Sequence, residues 1–342
     1  MHLGENPWGA SLKAISAATE QLRYSHRYPD DERGGLVEAI ARRFEVSADR
    51  VAVGNETDEL VLLLTLALRD TRRAALVNSV GSPTYAKALE AAGQPYEVVP
   101  LDHFRVPAKE IIERMRSGVS ICFLSHPHDP TGSVLDRLDV ANLCAAAQSS
   151  GTLLVFDESY AEFADESFCS ALPWATEGSN VCVLRTFSKA YGLASLGVGY
   201  LVGDPEAVGK VGVMRRAVPL RVGQIAQSAA AAALEDGEFL RRSRVNNATS
   251  RRLLRSCLER LGLASLPSQT NFVLTRLPDP SERIVRHLSE QRVLVRDTAD
   301  MGLPGNVRIS VGRPDEILRL ARRLKDALAA ADPATGLGRD QP

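Results

Sequence analysis

Short continuous apolar runs alternate with longer stretches of helical spacing along most of this chain. Residues 51–53, 74–78, 96–100, 119–125, 152–157, 181–184 and 197–202 are apolar over the length a buried strand takes. Between them, 36–44, 60–68, 108–115 and 138–148 repeat their apolar positions with a helical period, and Ser82-Pro83-Thr84-Tyr85 opens a further helix. Beyond residue 203 the pattern turns mostly helical, over 204–215, 222–234 and a long helix at 238–261 that Gly262 stops. Strands at 271–275, 293–296 and 307–311 then interleave with helices at 281–290 and 314–330. Residues 1–35 carry Pro7, Gly9, Pro29, Gly34 and Gly35 and read as an irregular arm with one short helix at 12–22. The last dozen residues, with Pro333, Gly336 and Gly338, read as a disordered tail.

Composition narrows the class without naming a function. A chain of 342 residues is long enough for two domains, and 44% hydrophobic with 24% charged residues is the balance of a soluble globular protein. Lys+Arg 41 against Asp+Glu 42 gives no basic excess to attract nucleic acid or a membrane surface. The five cysteines are scattered, without a C-x-x-C; Cys122 and Cys182 lie inside apolar runs, as buried reduced thiols do. No basic-then-apolar leader and no membrane-length apolar run is present, which makes a cytoplasmic enzyme the expectation.

The chemistry concentrates at Lys189. It lies in a polar turn between the apolar runs 181–184 and 197–202, with Thr186 and Ser188 three and one residues before it. A lysine in such a turn is ordinarily solvated. Flanking strands instead put its amine at the carboxyl edge of a sheet, where open α/β folds bind ligands, and partial desolvation there suits a Schiff-base nucleophile. A second signal is the apolar strand 152–156 running into Asp157-Glu158-Ser159-Tyr160, since an aspartate at a strand's end is costly to bury without a cation. A third is His126-Pro127-His128-Asp129-Pro130-Thr131-Gly132. Its two histidines and aspartate suggest a metal, but prolines fix the backbone and no further His/Cys pair completes a ligand set, so no metal is expected.

At 185–196 the segment RTFSKAYGLASL resembles the cofactor-lysine segment of pyridoxal-phosphate (PLP) aminotransferases of fold type I, most closely the histidinol-phosphate aminotransferase family. The resemblance runs from residue 5 to about residue 323. It implies an α/β architecture: a large PLP-binding domain at 36–225 with a mostly parallel seven-stranded sheet between helices, and a smaller α+β domain at 226–330. The arm at 1–35 would pack with the small domain and with the partner subunit of a homodimer. PLP would form a Schiff base with Lys189, the freed amine serving as the base of the transfer. The substrates implied are an amino donor, first of all L-histidinol phosphate, and a 2-oxo acid such as 2-oxoglutarate.

Further segments extend the likeness and assign roles. ENPWGAS at 5–11 implies that Asn6 lies near the substrate, and HRYPD at 26–30 that Tyr28 reaches the cofactor phosphate of the neighbouring subunit; read alone, Tyr28-Pro29 is a turn. Thr57 or Asp58 reads as the N-cap of the helix at 60–68, and the resemblance makes both phosphate contacts together with Thr186 and Ser188. Tyr85 would stack on the pyridine ring, Asp157 would pair with its nitrogen, and Tyr160 would bond its phenolic oxygen. Arg308, in VRISVG, matches the arginine that grips the substrate's acidic group, with Arg313 a second candidate.

Three positions depart from the pattern. Asp129 replaces an asparagine at the phenolic oxygen, Glu56 replaces a glycine beside the phosphate, and Gly197 replaces a phosphate-binding arginine. Arg27 and Arg185 are candidate substitutes for that arginine. The departures keep alternatives open: a decarboxylase, an eliminating or specialised amino-acid enzyme on the same scaffold, or a paralogue without turnover.

Overall fold

A computed structural model describes residues 1–30, 34–178, 180–217 and 221–331; of the tail expected at 331–342, Ala331 closes a helix and 332–342 lie outside the described residues. The strands of the larger sheet are β1 (Val51–Gly54), β2 (Ala75–Asn78), β3 (Tyr96–Val99), β4 (Ile121–Ser125), β5 (Leu153–Asp157), β6 (Val181–Thr186) and β7 (Gly199–Gly203). Their order is β1-β7-β6-β5-β4-β2-β3, and every neighbouring pair is parallel except the two that involve β7. The mostly parallel seven-stranded α/β sheet is therefore present.

The apolar runs are continuous because both faces of this sheet are covered. On β6, Val181 and Val183 join a core with Ile111, Met115, Val140 and Leu143 of helices α5 (Ala108–Arg116) and α6 (Arg137–Ser150). Cys182 and Leu184 point the other way, into a core with Leu60 and Leu64 of α3 (Glu56–Ala67), Leu89 of α4 (Pro83–Ala92) and Val211 of α8 (Pro205–Ala217). Helices α1 (Leu12–Gln21), α2 (Gly34–Phe44) and α9 (Gln224–Leu234) pack over β1 and β7. Helix α7 (Leu172–Thr176) was not foreseen; five residues are too few for a periodic signal.

A second, antiparallel sheet of β8 (Phe272–Arg276), β10 (Asn306–Ser310) and β9 (Arg296–Asp297) shares its own core with α10 (Gly237–Arg260), α11 (Ser281–Glu290) and α12 (Pro314–Ala331). Two boundaries differ from expectation. Only Arg296 of the strand read at 293–296 pairs with β10, because Val293 instead packs into the core beside Leu288. Helix α3 begins at Glu56 with Asn55 as its cap, so Thr57 and Asp58 lie inside its first turn rather than capping it. There the Glu59 carboxylate folds back to accept the Asn55 N–H at 2.8 Å.

Candidate active site

Parallel register delivers the polar residues to one edge. Ser125 at the end of β4 is aligned with Asp157 at the end of β5, and Asp157 with Leu184 just before the end of β6. The turns that follow carry Asp129, Tyr160, Ser188 and Lys189, the placement by which open α/β sheets bind ligands beyond their strand ends.

Asp157 is partly buried and accepts a 2.7 Å hydrogen bond from the Tyr85 hydroxyl, plus bonds from the backbone N–H and hydroxyl of Ser159. These donors are neutral. Burial lifts its carboxyl above the ordinary aspartate value, which marks a buried acid suited to a cationic partner. The Tyr85 ring lies flat against Phe123, with centroids 5.4 Å apart. Tyr160 is buried and donates to Asp129 Oδ2 at 2.9 Å.

The Lys189 amine sits 5.7 Å from the centre of the Tyr160 ring and donates to the Leu3 carbonyl at 3.2 Å. Burial draws it below the ordinary lysine value, against the opposing pull of Asp129. The residues that cover it come from the start of the chain, held to β10 by Met1 and Gly4. The Met1 carbonyl accepts from Ser310 N, and Gly4 N donates to Ser310 Oγ.

Arg308 and Asp129 form an ion pair unforeseen from the sequence. Arg308 Nη1 lies 2.6 Å from Asp129, and Nη2 donates to the His2 carbonyl at 3.1 Å. Both side chains are nearly buried, at 10% and 14% exposure, so the attraction is little screened. Burial, the largest influence, would raise the Asp129 carboxyl, but the Arg308 guanidinium, the Tyr160 hydroxyl and the Lys189 amine together outweigh it and hold the group below the ordinary value. Asp129 is thus an ionised acceptor, and Arg308 is engaged within the chain.

At the other end of the turn, the hydroxyls of Thr186 and Ser188 converge on the carboxylate of Glu56, with Thr186 Oγ1 at 2.8 Å. Thr57 is buried beside them, whereas Asp58 is exposed and accepts from Thr84.

Several expected residues are placed elsewhere. Asn6 is buried; its amide donates to Ala190 O and Ser243 Oγ and its oxygen accepts from Trp8 N, so it anchors the chain start, and it lines a cavity together with Ser188. Arg185 is no substitute phosphate ligand: Glu158 holds it at 2.6 Å and Glu162 at 3.3 Å. Arg27 is exposed on the arm, and Arg313 is exposed and donates to Pro7 O. Tyr28 is 86% exposed, its ring 4.9 Å from the Arg221 guanidinium carbon. His126 and His128 are buried, bonded to Cys169 O and to Thr131 and Val80 O respectively. Asn271 was missed: its amide holds Gly4 O at 2.7 Å, and its buried Oδ1 has no hydrogen-bond partner. The only sequence signal was a polar residue opening an apolar strand.

The chain is similar to known proteins over nearly its whole length. The family pattern "Aminotransferase class I and II" matches residues 3–324. A histidinol-phosphate aminotransferase of Symbiobacterium thermophilum is 32% identical over 96% of this chain and 90% of its own length. One from Halorubrum lacusprofundi is 35% identical over 95% and 87%. The crystal structure of histidinol-phosphate aminotransferase from Sinorhizobium meliloti in complex with pyridoxal-5'-phosphate superposes with a TM-score of 0.89 at 28% identity, covering 97% of this chain and 90% of that one. The chain belongs to the class I and II aminotransferase family.

Proposed function

We propose that this aminotransferase carries PLP on Lys189 and moves an amino group between an amino compound and a 2-oxo acid, with L-histidinol phosphate and 2-oxoglutarate the first pair to test. The observation that carries the reading is a partly buried amine, Lys189, in the turn after β6 and a partly buried carboxylate, Asp157, at the end of the adjacent parallel strand β5. The residues fit the ring and aldehyde of the cofactor: Asp157 is an acid with only neutral donors, suited to a protonated ring nitrogen, and Lys189 is an amine depressed by burial. At the phosphate end the Thr186 and Ser188 hydroxyls and the start of α3 suit an anion, with Glu56 contesting the place.

When bound, the cofactor supplies the electron sink that makes a substrate's Cα–H acidic. Lys189, kept toward its neutral form by burial, takes and returns that proton at Nζ. Asp157, oriented by the Tyr85 hydroxyl, would keep the ring nitrogen protonated, Tyr85 would stack on the ring, and Tyr160, whose hydroxyl here donates to Asp129, would lie beside the phenolic oxygen. Family membership favours amino transfer over decarboxylation, elimination or a silent paralogue. We assign PLP binding to 36–225, a smaller domain to 226–330, and the exposed Tyr28 of the 1–35 arm to the partner's site in a homodimer. No helix among the described residues is long and apolar enough to cross a membrane, and we place the enzyme in the cytoplasm.

The direct test is the visible spectrum of the protein with PLP before and after L-glutamate. A violet-region band that bleaches on adding glutamate is expected; no band, or one indifferent to every amino donor, overturns the reading.

Asp129→Asn tests the role of Arg308. Removing the carboxylate's charge frees the guanidinium for an anionic substrate, so KM for 2-oxoglutarate is expected to fall roughly tenfold, about 1.4 kcal/mol. Steady-state kinetics with the dicarboxylic acceptor measure it; an unchanged or higher KM places acceptor recognition away from Arg308.

A further inference from the structure

We infer that Glu56 is a built-in occupant of the phosphate end of the site, so that this chain draws little of its cofactor affinity from the phosphate and takes unphosphorylated pyridoxal nearly as well. The inference rests on the PLP reading above and deepens it.

The geometry is specific. Glu56 spans the cup with one carboxylate oxygen on Thr186 Oγ1 and the other on Ser188 Oγ, the two hydroxyls that precede the lysine. Its backbone is held in place: φ is +64°, a left-handed conformation unfavourable for a residue with a Cβ, and its N–H is tied to Gly197 O at 3.2 Å. Gly197 faces it from the other side, where a Cβ would come 3.9 Å from Glu56 Cγ, so no side chain enters the cup from that position. A Cβ at Gly199 would meet the Glu56 carbonyl carbon at 2.6 Å, which keeps the start of β7 pressed against the start of α3.

Among the described residues no guanidinium balances the carboxylate. Arg185 is committed to Glu158 and Glu162, and Arg308 to Asp129. The charged groups acting on Glu56 are the Lys189 amine, from the turn after β6, and the Asp58 carboxylate, from its own helix; the other contacts are the Thr186 and Ser188 hydroxyls and the Thr57 N–H. Burial dominates and lifts its carboxyl above the ordinary glutamate value. A phosphate dianion entering the cup meets a like charge unless Glu56 takes up a proton or leaves. Either way phosphate binding is linked to proton uptake and strengthens as pH falls. Pyridoxal, with no phosphate, escapes this linkage.

The test is equilibrium titration of the cofactor-free full chain with PLP and with pyridoxal, read by the absorbance of ligand bound at Lys189, between about pH 6.5 and 8.5, above the second phosphate pKa of about 6. The ratio of the two affinities is the readout, because titration of Lys189 affects both ligands and cancels. For the wild type the ratio is expected to stay within about tenfold at the upper pH and to grow by up to about tenfold per pH unit as pH falls, the limit for one proton. Glu56→Gln should raise the ratio at the upper pH by about 10²-fold, the scale of one like-charge contact at partial burial, and flatten its pH dependence. Glu56→Gly should do the same, and a positive φ suits glycine, so this variant is expected to fold. A wild-type preference for PLP above about 10³, independent of pH and unmoved by either substitution, overturns the inference while leaving the cofactor reading intact. Absence of a band with either ligand on all three proteins overturns the cofactor reading and this inference with it.

Discussion

Replacing Lys189 by alanine is expected to abolish covalent capture of the cofactor and to slow amino transfer by roughly 10²–10⁴-fold from the loss of proton transfer alone. The amine is the basic group of the turn, it is depressed by burial, and the ring of Tyr160 lies 5.7 Å from it. No other amine is described at the site: Arg308 is a guanidinium engaged by Asp129, and His126 and His128 are bonded within the core. Borohydride reduction followed by mass spectrometry should leave the cofactor's mass on the wild-type chain and none on Lys189→Ala. Retention of that mass by the variant would place the attachment at another residue. Folding should be little affected, because the amine's described hydrogen bond is a single one to the Leu3 carbonyl.

Arg185→Ala carries the largest expected effect on stability, a loss of about 3–5 kcal/mol. The guanidinium is 12% exposed and lies between Glu158, whose side chain is fully buried, and Glu162, at 6% exposure. Removing it leaves two buried carboxylates without their cation, Glu158 keeping only the Ser170 hydroxyl and the Ala171 N–H as donors. Glu162 is already lifted above its ordinary value by burial, with Arg185 the chief opposing influence. In the variant the native Glu162 carboxyl binds a proton more readily than the unfolded one. Stability should then rise as pH falls from 8 toward about 5, the reverse of ordinary acid weakening. Chemical denaturation monitored by circular dichroism over that range checks both magnitude and slope; a loss below about 1 kcal/mol would show that the pair is solvated.

Much of the fold was legible because a two-sided parallel sheet and its covering helices write themselves as alternating apolar runs and helical periods. The acid at the end of β5 and the lysine after β6 were legible for a related reason, since polar groups at the ends of buried strands need a purpose. Asp129 and Arg308 stand 179 residues apart, and no local pattern announces that one neutralises the other. Arg185 appeared available until the structure placed Glu158 and Glu162 against it. Asn6 matched a motif, yet its amide is spent on Ala190 and Ser243, a contact fixed only by the packing of α10. Glu56 was visible as an unexpected charge; that it reaches Thr186 and Ser188 depends on a left-handed backbone that a sequence does not display.

The Asp129–Arg308 pair also joins two bodies, for one partner follows a strand of the seven-stranded sheet and the other lies on β10 of the three-stranded sheet. It ties the two sheets together as well as balancing charge. A further tie lies beside it: Gln269 N–H, ahead of β8, donates to Gly132 O at 2.9 Å in the turn that carries Asp129. A ligand that draws the guanidinium to itself therefore releases one of the ties between the sheets and leaves this other in place.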